Sequence, residues 1–224
     1  MAEASARVTE VREVAPEVVV VTARMASPAR LDAKPGQFLS IRIDATGSVR
    51  RSYTLLSTAD DGATFELLVK RVAGGAGSGY FEGLAVGDAL AFTGPMGFFV
   101  PDEAHTGPSL VIATGAGIAA ALPVARAVRG KVALYYGVRD EADALLVDRL
   151  GGLIWELVVA ADWDAVHRAL AARAVEAAST MANGRFYLTG NGDMTRVVRD
   201  ALVAAGVDRK RQIRTEIFYP QREP

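Results

Sequence analysis

The chain has 224 residues, half of them hydrophobic, and a formal net charge of −1. This length allows one large core or two smaller ones, and the balanced charge supplies no basic field for nucleic acid. The sequence contains no cysteine, which excludes disulfides, thiolate zinc sites, cysteine nucleophiles and cysteine-ligated iron–sulfur clusters. Any redox chemistry would therefore come from a bound organic cofactor, and we expect neither a metal ion nor nucleic acid as a ligand.

Two segments bear on targeting and on the membrane. Residues 1–14 are rich in charge and lack an apolar stretch, so they do not resemble a secretory signal. Residues 109–128 are almost uncharged, but the Gly115-Ala116-Gly117 turn interrupts them and Pro123 follows. A strand, a turn and a helix fit this segment better than one membrane-spanning rod. We expect a cytoplasmic protein without a membrane span.

The first part of the chain has short apolar runs separated by turn residues, which is typical of an antiparallel barrel or sandwich. The strands are predicted at residues 18–22, 38–43, 53–56, 65–69 and 89–92, with a short helical segment at 80–84. Residues 101–108, bounded by two prolines, are predicted to form the hinge between two domains.

The pattern then changes to alternating strands and helices, which predicts a parallel α/β domain. Its strands are predicted at 110–113, 132–136, 156–160, 186–188 and 213–218, and its helices at 119–128, 141–150, 163–177 and 194–205. The fold class is therefore an antiparallel β-barrel, residues 1–104, followed by an α/β parallel-sheet nucleotide-binding domain, residues 105–224.

A glycine turn lies between the first predicted strand and helix of the second domain, at Thr114-Gly115-Ala116-Gly117. Free backbone N–H groups and the helix dipole at such a turn can hold a pyrophosphate. The alternative is a tight turn that needs glycine only for its backbone conformation. The next strand ends near Arg139, where a dinucleotide-binding fold has its ribose-recognition loop.

Two further elements in the barrel domain could form an anion site. In Arg51-Ser52-Tyr53-Thr54, strand alternation places Arg51 and Tyr53 on one face and Thr54 on the other. The glycine-rich segment 74–79 precedes the short helix, and Ser78 is predicted to cap it. A plain edge strand and a mobile hairpin loop are the alternatives.

Together these motifs resemble the ferredoxin–NADP⁺ reductase superfamily in their order along the chain, over essentially its whole length. They are Arg51-Ser52-Tyr53-Thr54, Val69-Lys70-Arg71-Val72, Gly74-Gly75-Ala76-Gly77-Ser78, Gly87-Asp88, Gly94-Pro95-Met96-Gly97, Thr114-Gly115-Ala116-Gly117-Ile118-Ala119, Tyr135-Tyr136-Gly137-Val138-Arg139, Leu188-Thr189-Gly190-Asn191-Gly192-Asp193-Met194 and Thr215-Glu216-Ile217-Phe218.

The resemblance implies bound FAD as the cofactor. Arg51 would pair with the FAD pyrophosphate, Tyr53 would pack along the flavin, and the Thr54 hydroxyl would lie near flavin N5, where the family usually has serine. Gly77 and Ser78 would add hydrogen bonds to the pyrophosphate.

The resemblance also implies a nicotinamide dinucleotide site. Its residues would be Thr114, Gly115 and Gly117 at the pyrophosphate, Gly190, Asn191 and Met194 at the nicotinamide, and Glu216 and Phe218 closing the cleft over the flavin. Thr54 and Glu216 are the candidate catalytic residues.

Two departures from the family pattern concern the nucleotide. The family often has cysteine where this chain has Thr189. NADP-specific members commonly have Ser-Arg after the third strand of this domain, where Asp162 lies here. Because a carboxylate would repel a 2′-phosphate, NADH is favoured over NADPH. Arg139 is the counter-argument, since it could bind that phosphate, although it could equally be a solvated surface charge.

The predicted function is an FAD-containing NAD(P)H reductase that passes electrons to a separate acceptor, which would be a ferredoxin, a flavodoxin or a small oxidant. The chain has no cluster-binding segment, so the acceptor must be a separate molecule. The alternative is a flavin- or nucleotide-binding module that senses redox state without turnover.

Overall fold

The computed structural model describes residues 3–218, and these form two compact units that divide between Phe98 and Phe99. This division lies six residues before the predicted boundary at 104/105. The Asp102 carboxylate pairs with the Arg185 Nε at 3.1 Å, and the Asp102 N–H donates to the Tyr187 hydroxyl at 3.0 Å. The segment that we expected to be the hinge is therefore held to the second unit.

The first unit is a closed antiparallel barrel of six strands in the order β1-β2-β5-β4-β3-β6. Its core comes from alternate residues of each strand, such as Val19, Val21 and Ala23 of β2. The elements are β1 Ala4–Ala15, β2 Val18–Ser27, β3 Phe38–Arg42, β4 Arg50–Thr58, β5 Thr64–Lys70, α1 Ala76–Glu82 and β6 Ala89–Met96.

Strand β1 was not predicted. Its buried residues are small, Ala4, Ala6 and Val8, and they alternate with exposed charged or polar side chains. A segment with so few large apolar residues does not show a strand pattern in the sequence alone. Pairing with β2 on one side and β6 on the other makes it part of the closed barrel.

The second unit is a parallel five-stranded sheet in the order β11-β10-β7-β8-β9. All six residues of β7 are buried, as expected for a central strand covered on both faces. The elements are β7 Ser109–Thr114, α2 Ile118–Ala127, β8 Val132–Val138, β9 Ile154–Val159, α3 Trp163–Thr180, β10 Arg185–Asn191, α4 Gly192–Ala204, α5 Arg209–Gln212 and β11 Ile213–Phe218.

The helix predicted at 141–150 is wrong. Two 3₁₀ turns, Glu141–Asp143 and Val147–Arg149, occupy this segment. Leu146 between them has a left-handed backbone with φ of 58°, which ends the helical path. Leu145 and Leu146 are nevertheless buried. The apolar pattern that suggested a helix therefore belongs to an irregular segment with buried leucines.

Residues 109–128 form strand β7, a 3₁₀ turn at Gly115–Gly117 and helix α2, as predicted. Among the helices of residues 3–218, none has the length and apolar character needed to cross a membrane. Both predicted folds, the antiparallel barrel and the parallel α/β sheet, are confirmed.

Candidate cofactor and nucleotide sites

In the first unit, the structure brings Arg51 and Tyr53 of β4 together with Gly77 of α1. A Cβ atom on Gly77 would overlap the Tyr53 hydroxyl and lie 3.5 Å from the Arg51 Cγ. The backbone conformation of Gly77 is one that any residue can adopt, so it is the close approach of these two side chains that disfavours a larger residue here. The shared face that strand alternation predicted for Arg51 and Tyr53 is the face that α1 meets.

The Arg51 guanidinium is only partly satisfied. Its Nη1 donates to the Arg50 carbonyl at 2.8 Å, while its Nε is buried without a hydrogen-bond partner among residues 3–218. A buried charged donor without a partner costs free energy, and a phosphate oxygen is the acceptor that a guanidinium binds best. The pyrophosphate of FAD fits this donor. The neighbouring Gly77, which has no side chain, leaves space for it.

Ser78 does not cap α1, so that prediction is wrong. The helix begins at Ala76 with Gly75 as its N-cap, and Ser78 lies inside it. The buried Ser78 Oγ instead accepts the Val72 N–H at 2.6 Å, which ties the end of β5 to the helix. The hydroxyl hydrogen remains a donor for a further acceptor.

Tyr53 and Thr54 lie beside this cluster on opposite faces of β4. The Tyr53 ring packs edge-on against Phe81 with centroids 4.6 Å apart, and burial raises the pKa of Tyr53 to about 12. Its hydroxyl is therefore a neutral donor at physiological pH. Thr54 is only 5% exposed and pairs with Phe38 of β3.

In the second unit, the candidate nucleotide site lies at the switch point of the parallel sheet. β7 has β8 on one side and β10 on the other, and the chain leaves both β7 and β10 through a glycine-rich turn into a helix. In open α/β sheets, ligands bind in the crevice at the carboxyl ends of strands where the order reverses. The predicted residues Thr114, Gly115, Gly117, Gly190 and Asn191 all lie there.

Two of these glycines are required by close backbone contacts. A Cβ on Gly117 would lie 2.7 Å from the Thr189 carbonyl oxygen, and one on Gly190 would lie 2.5 Å from the Thr114 carbonyl oxygen. Gly190 also has a φ of 119°. The Thr114 Oγ1 accepts the Asn191 N–H at 3.0 Å, which joins the two turns. The turns after β7 and β10 are therefore in direct backbone contact, and together they form the floor of the crevice.

The side chains of Asn191 and Met194 do less than predicted. The Asn191 Oδ1 accepts the N–H groups of Asp193 at 2.7 Å and of Met194 at 3.3 Å, so it caps α4. The Met194 side chain is fully buried in the core cluster that contains Val198 and Leu202. Only the backbone of Met194 lies near the crevice, so its predicted place along the nicotinamide needs this correction.

Tyr136 supports the glycine turn, a role that the sequence did not predict. Its hydroxyl donates to the Gly115 carbonyl at 3.0 Å and accepts the Leu145 N–H at 3.1 Å. Burial raises its pKa to about 12, so the hydroxyl keeps its proton. The motif Tyr135-Tyr136-Gly137 marked the position, but nothing in the sequence indicated which backbone groups the hydroxyl joins.

The two residues expected to choose between NADH and NADPH lie at adjacent strand ends. Arg139, directly after β8, is exposed, and its guanidinium carbon lies 5.3 Å from the centre of the Trp163 ring. Asp162 caps α3, since its Oδ1 accepts the Ala165 N–H at 2.7 Å. The carboxylate therefore has a structural role in addition to its charge.

Thr189, Glu216 and Phe218 lie on the other side of the switch point. Glu216 pairs with Thr189 and Phe218 with Asn191 in the parallel ladder. The Thr189 Oγ1 is buried without a hydrogen-bond partner in the described part of the chain. Burial raises the pKa of Glu216, since the ionised carboxylate loses hydration.

Residues 5–100 match the family model of the oxidoreductase FAD-binding domain. The chain is 39% identical over 149 residues to the reductase subunit of an aromatic O-demethylase from an Amycolatopsis species, covering 62% of this chain and 44% of that protein. It is 34% identical over 154 residues to ferredoxin–NADP reductase B of Sorangium cellulosum, covering 66% and 63%.

Two solved reductase structures have a similar fold over nearly the whole of this chain. The ferredoxin reductase of a carbazole 1,9a-dioxygenase superposes with a TM-score of 0.83 at 28% identity, covering 97% of this chain and 70% of that one. An Amycolatopsis cytochrome P450 reductase gives a TM-score of 0.81 at 29% identity, covering 98% and 70%. The chain spans less than half the length of the first curated relatives that it matches.

The barrel with its arginine and glycine contacts, followed by a parallel sheet with glycine turns at its switch point, defines a two-unit protein of the flavin- and nucleotide-binding class. Residues 5–100 belong to the oxidoreductase FAD-binding domain family, and the whole chain is similar in sequence and fold to reductases of the ferredoxin–NADP⁺ reductase superfamily.

Proposed function

We propose that this protein is an FAD-dependent oxidoreductase that passes electrons from NAD(P)H through FAD to a separate acceptor. The observation that carries the proposal is the buried Arg51 Nε, which has no hydrogen-bond partner among the described residues. It lies beside Gly77, where a Cβ atom would overlap the Tyr53 hydroxyl. Two relatives named reductase components or subunits support the same activity.

Bound FAD would supply the hydride and electron chemistry, and the chain would supply binding and alignment. Arg51 and the Ser78 hydroxyl would hold the pyrophosphate, with Gly77 leaving room for it. The buried Thr54 hydroxyl would orient the flavin through a hydrogen bond. The Tyr53 ring would pack along the flavin, since its hydroxyl is neutral and its edge is fixed by Phe81.

The second unit would hold the nicotinamide dinucleotide. Backbone N–H groups of the turn at Gly115 and Gly117 would bind its pyrophosphate. The backbone at Gly190 and Asn191 would lie along the nicotinamide, and Glu216 would balance charge as that ring becomes positive. Burial raises the pKa of Glu216, so a ligand that covers or charges its surroundings would change how readily this carboxyl ionises.

We propose NADH as the preferred donor. The Asp162 carboxylate is fixed by its cap to α3, at the strand end where a 2′-phosphate would lie. Steady-state kcat/KM for NADH and NADPH tests this preference, and Asp162→Ser, which keeps the cap and removes the charge, should narrow it by about tenfold. A wild-type preference for NADPH would contradict the proposal.

The acceptor would be a ferredoxin, an oxygenase component, a flavodoxin or a small oxidant. Relatives named as reductase components of propane 2-monooxygenase and of a naphthalene dioxygenase system point to the first two.

One experiment tests cofactor and reaction together. The purified protein should have the visible spectrum of a flavoprotein, and NADH added without oxygen should bleach it. Heat release should yield FAD. Released FMN, or no flavin, would contradict the assignment of Arg51 and the glycine-rich segment. A flavin that NADH does not bleach would favour the sensing module over the reductase.

A second experiment separates chemistry from binding. Thr54→Val keeps the shape of the side chain and removes its hydrogen-bond donor. It should slow NADH-dependent flavin reduction in stopped flow by about 3- to 10-fold, the effect of one hydrogen bond, while FAD stays bound. Ser52→Ala, an exposed hydroxyl on the same strand, is the matched control. An unchanged rate at full flavin occupancy would remove Thr54 from the mechanism.

A further inference from the structure

A column of stacked planar side chains stands at the carboxyl edge of the second unit. The Arg139 guanidinium lies over the Trp163 ring at 5.3 Å, and the other neighbour of that ring is the His167 imidazole, at 5.9 Å and 28° from parallel. Arg139 is exposed, Trp163 is half-buried and His167 is 3% exposed. Exposure therefore increases from His167 through Trp163 to Arg139, and the exposed end of the column is a guanidinium.

Arg139 has few other ties. Its neighbour Asp140 accepts the Ala142 N–H at 3.0 Å, and Asp162 accepts the Ala165 N–H, so both nearby carboxylates serve as caps. Among residues 3–218, no carboxylate pairs with Arg139 within salt-bridge distance. An exposed guanidinium that lies over one aromatic ring and has no carboxylate partner can bind a second planar group.

The column also lies close to the glycine turn. Arg139 follows Gly137 by two residues, Gly137 pairs with Thr114 in the ladder, and a Cβ on Gly137 would lie 3.1 Å from the Thr114 methyl group. In dinucleotide-binding α/β folds the ribose is recognised at the end of the next strand, so the adenosine of a nucleotide whose pyrophosphate sits on the turn at Gly115 and Gly117 would lie toward β8 and β9. Purine rings stack well on guanidinium planes.

We propose that Arg139 is the platform on which the adenine ring of the nicotinamide dinucleotide stacks, with Trp163 and His167 holding the guanidinium plane in place. The inference rests on the proposed nucleotide site and gives Arg139 a role different from a 2′-phosphate ligand. A stacking arginine serves NADH and NADPH alike, whereas a phosphate ligand serves only NADPH. The two roles therefore predict different patterns of loss.

The experiment compares donors that have or lack the adenine, using FAD-loaded full-length protein. Arg139→Lys keeps the charge and removes the plane. It should raise the Kd for ADP-ribose, and the KM for NADH and for NADPH, by a similar factor of about 3 to 10. Reduced nicotinamide mononucleotide, which has the reactive ring but no adenine, should be used equally well by both proteins.

Arg129→Lys is the matched control, an exposed arginine just before the opposite end of β8, and should change none of these values. Trp163→Leu should reproduce the loss with Arg139 intact, and Trp163→Phe should restore most of it. Thermal unfolding of each variant separates a folding defect from lost stacking.

Losses confined to NADPH would overturn the proposal in favour of a phosphate ligand, and unchanged Kd and KM values would overturn it outright. Failure of the proposed function would differ from both outcomes. In that case wild-type protein would bind ADP-ribose, with the Arg139 effect intact, but would contain no flavin for NADH to reduce.

Discussion

The candidate FAD site of the first unit is the first half-site, and the candidate nucleotide site of the second unit is the second half-site. These two sites, each within its own unit, differ in how completely the protein's own polar groups are hydrogen-bonded. In the first unit, the buried Nε of a charged guanidinium, that of Arg51, lacks a partner in the described structure. In the second, the Thr114 hydroxyl, the Tyr136 hydroxyl and the Asn191 amide oxygen each bind backbone groups of the turns. Among the described residues of the second unit, the buried side-chain atoms without a partner are those of Ser109, His167 and Thr189, and the one at the switch point is the neutral Thr189 hydroxyl.

This difference indicates that FAD is the ligand that stays bound and that NAD(P)H is the ligand that exchanges. A site that lacks a partner for a buried charge gains the full benefit of that partner on binding, so it suits a resident cofactor. A site whose polar groups already bind one another is preorganised but offers the ligand no unpaired buried charge to satisfy, which suits a substrate that must leave after each turnover. Tight FAD and loosely held NAD(P)H are the expected result.

The largest effect is expected from adding a side chain at Gly190, where two backbone segments of the nucleotide site touch. Gly190→Ala places a Cβ 2.5 Å from the Thr114 carbonyl oxygen and 2.6 Å from its Oγ1, at a φ of 119°. We expect the free energy of unfolding of the second unit to fall by about 3 kcal/mol or more, with NADH binding lost. Urea unfolding and NADH titration measure the two effects.

Gly151→Ala is the control for this substitution, since its Cβ would meet nothing within 4 Å and its φ is not left-handed. It should leave both measurements unchanged. If Gly190→Ala folds normally and still binds NADH, the crevice floor is more adaptable than a preorganised site allows, and the comparison between the half-sites fails.

Removing the unpaired guanidinium should have the opposite balance, a large effect on the ligand and a small one on the fold. Arg51→Ala should weaken FAD binding by about 10- to 100-fold, the value of a charge-assisted hydrogen bond. The stability of the flavin-free protein should change by less than about 1 kcal/mol, because the buried Nε is unpaired there. Flavin fluorescence titration and urea unfolding test both statements.

Arg50→Ala is the matched control, because its guanidinium pairs with Glu3 at 2.6 Å and has no assigned part in the flavin site. FAD affinity should be unaffected. A stability loss in Arg51→Ala as large as its loss in FAD binding would mean that the arginine mainly holds the barrel together.

Tyr136→Phe tests the second half-site without a steric change. It leaves the Gly115 carbonyl and the Leu145 N–H without their shared partner, which should cost about 1 to 2 kcal/mol of stability and raise the KM for NADH. FAD content should stay the same. Tyr135→Phe, one residue away on the other face of β8, is the control. A fall in FAD content with Tyr136→Phe would contradict the independence of the two half-sites.

Sequence reasoning was most successful where a residue's own chemistry required its environment. Strand alternation placed Arg51 and Tyr53 on one face, and the glycines at 115, 117 and 190 marked the turns at the switch point. These inferences depend on local backbone rules that do not need the partner to be known.

The errors have a common physical origin, which is that a packing or hydrogen-bond contact replaced the local interaction that the sequence pattern suggested. Ser78 has a capping side chain, but the Val72 N–H at the end of β5 binds it instead. Met194 is near the crevice in sequence, but its side chain enters the core between α4 and the sheet. Strand β1 is recognisable only once β2 and β6 are beside it.

The smallest expected effect concerns Glu216, which burial keeps from ionising easily. A carboxyl whose pKa is higher in the folded protein than its ordinary value of 4.5 binds its proton more tightly when folded. Its contribution to stability is therefore fully present below that value and is lost as the pH rises through the folded pKa. At neutral pH the buried carboxylate opposes folding. Glu216→Gln removes this penalty, so it should raise the Tm of the second unit at pH 7 by about 1 to 3 °C.

The same substitution should have almost no effect at pH 4, where the wild-type carboxyl is protonated as well. Glu176→Gln, on the exposed part of α3, is the control, because an exposed carboxylate loses little hydration on folding. Thermal unfolding at the two pH values gives the result. A lower Tm for Glu216→Gln at pH 7 would mean that the ionised carboxylate is paired in the folded protein, and the second half-site would then hold a charge of its own, as the first one does.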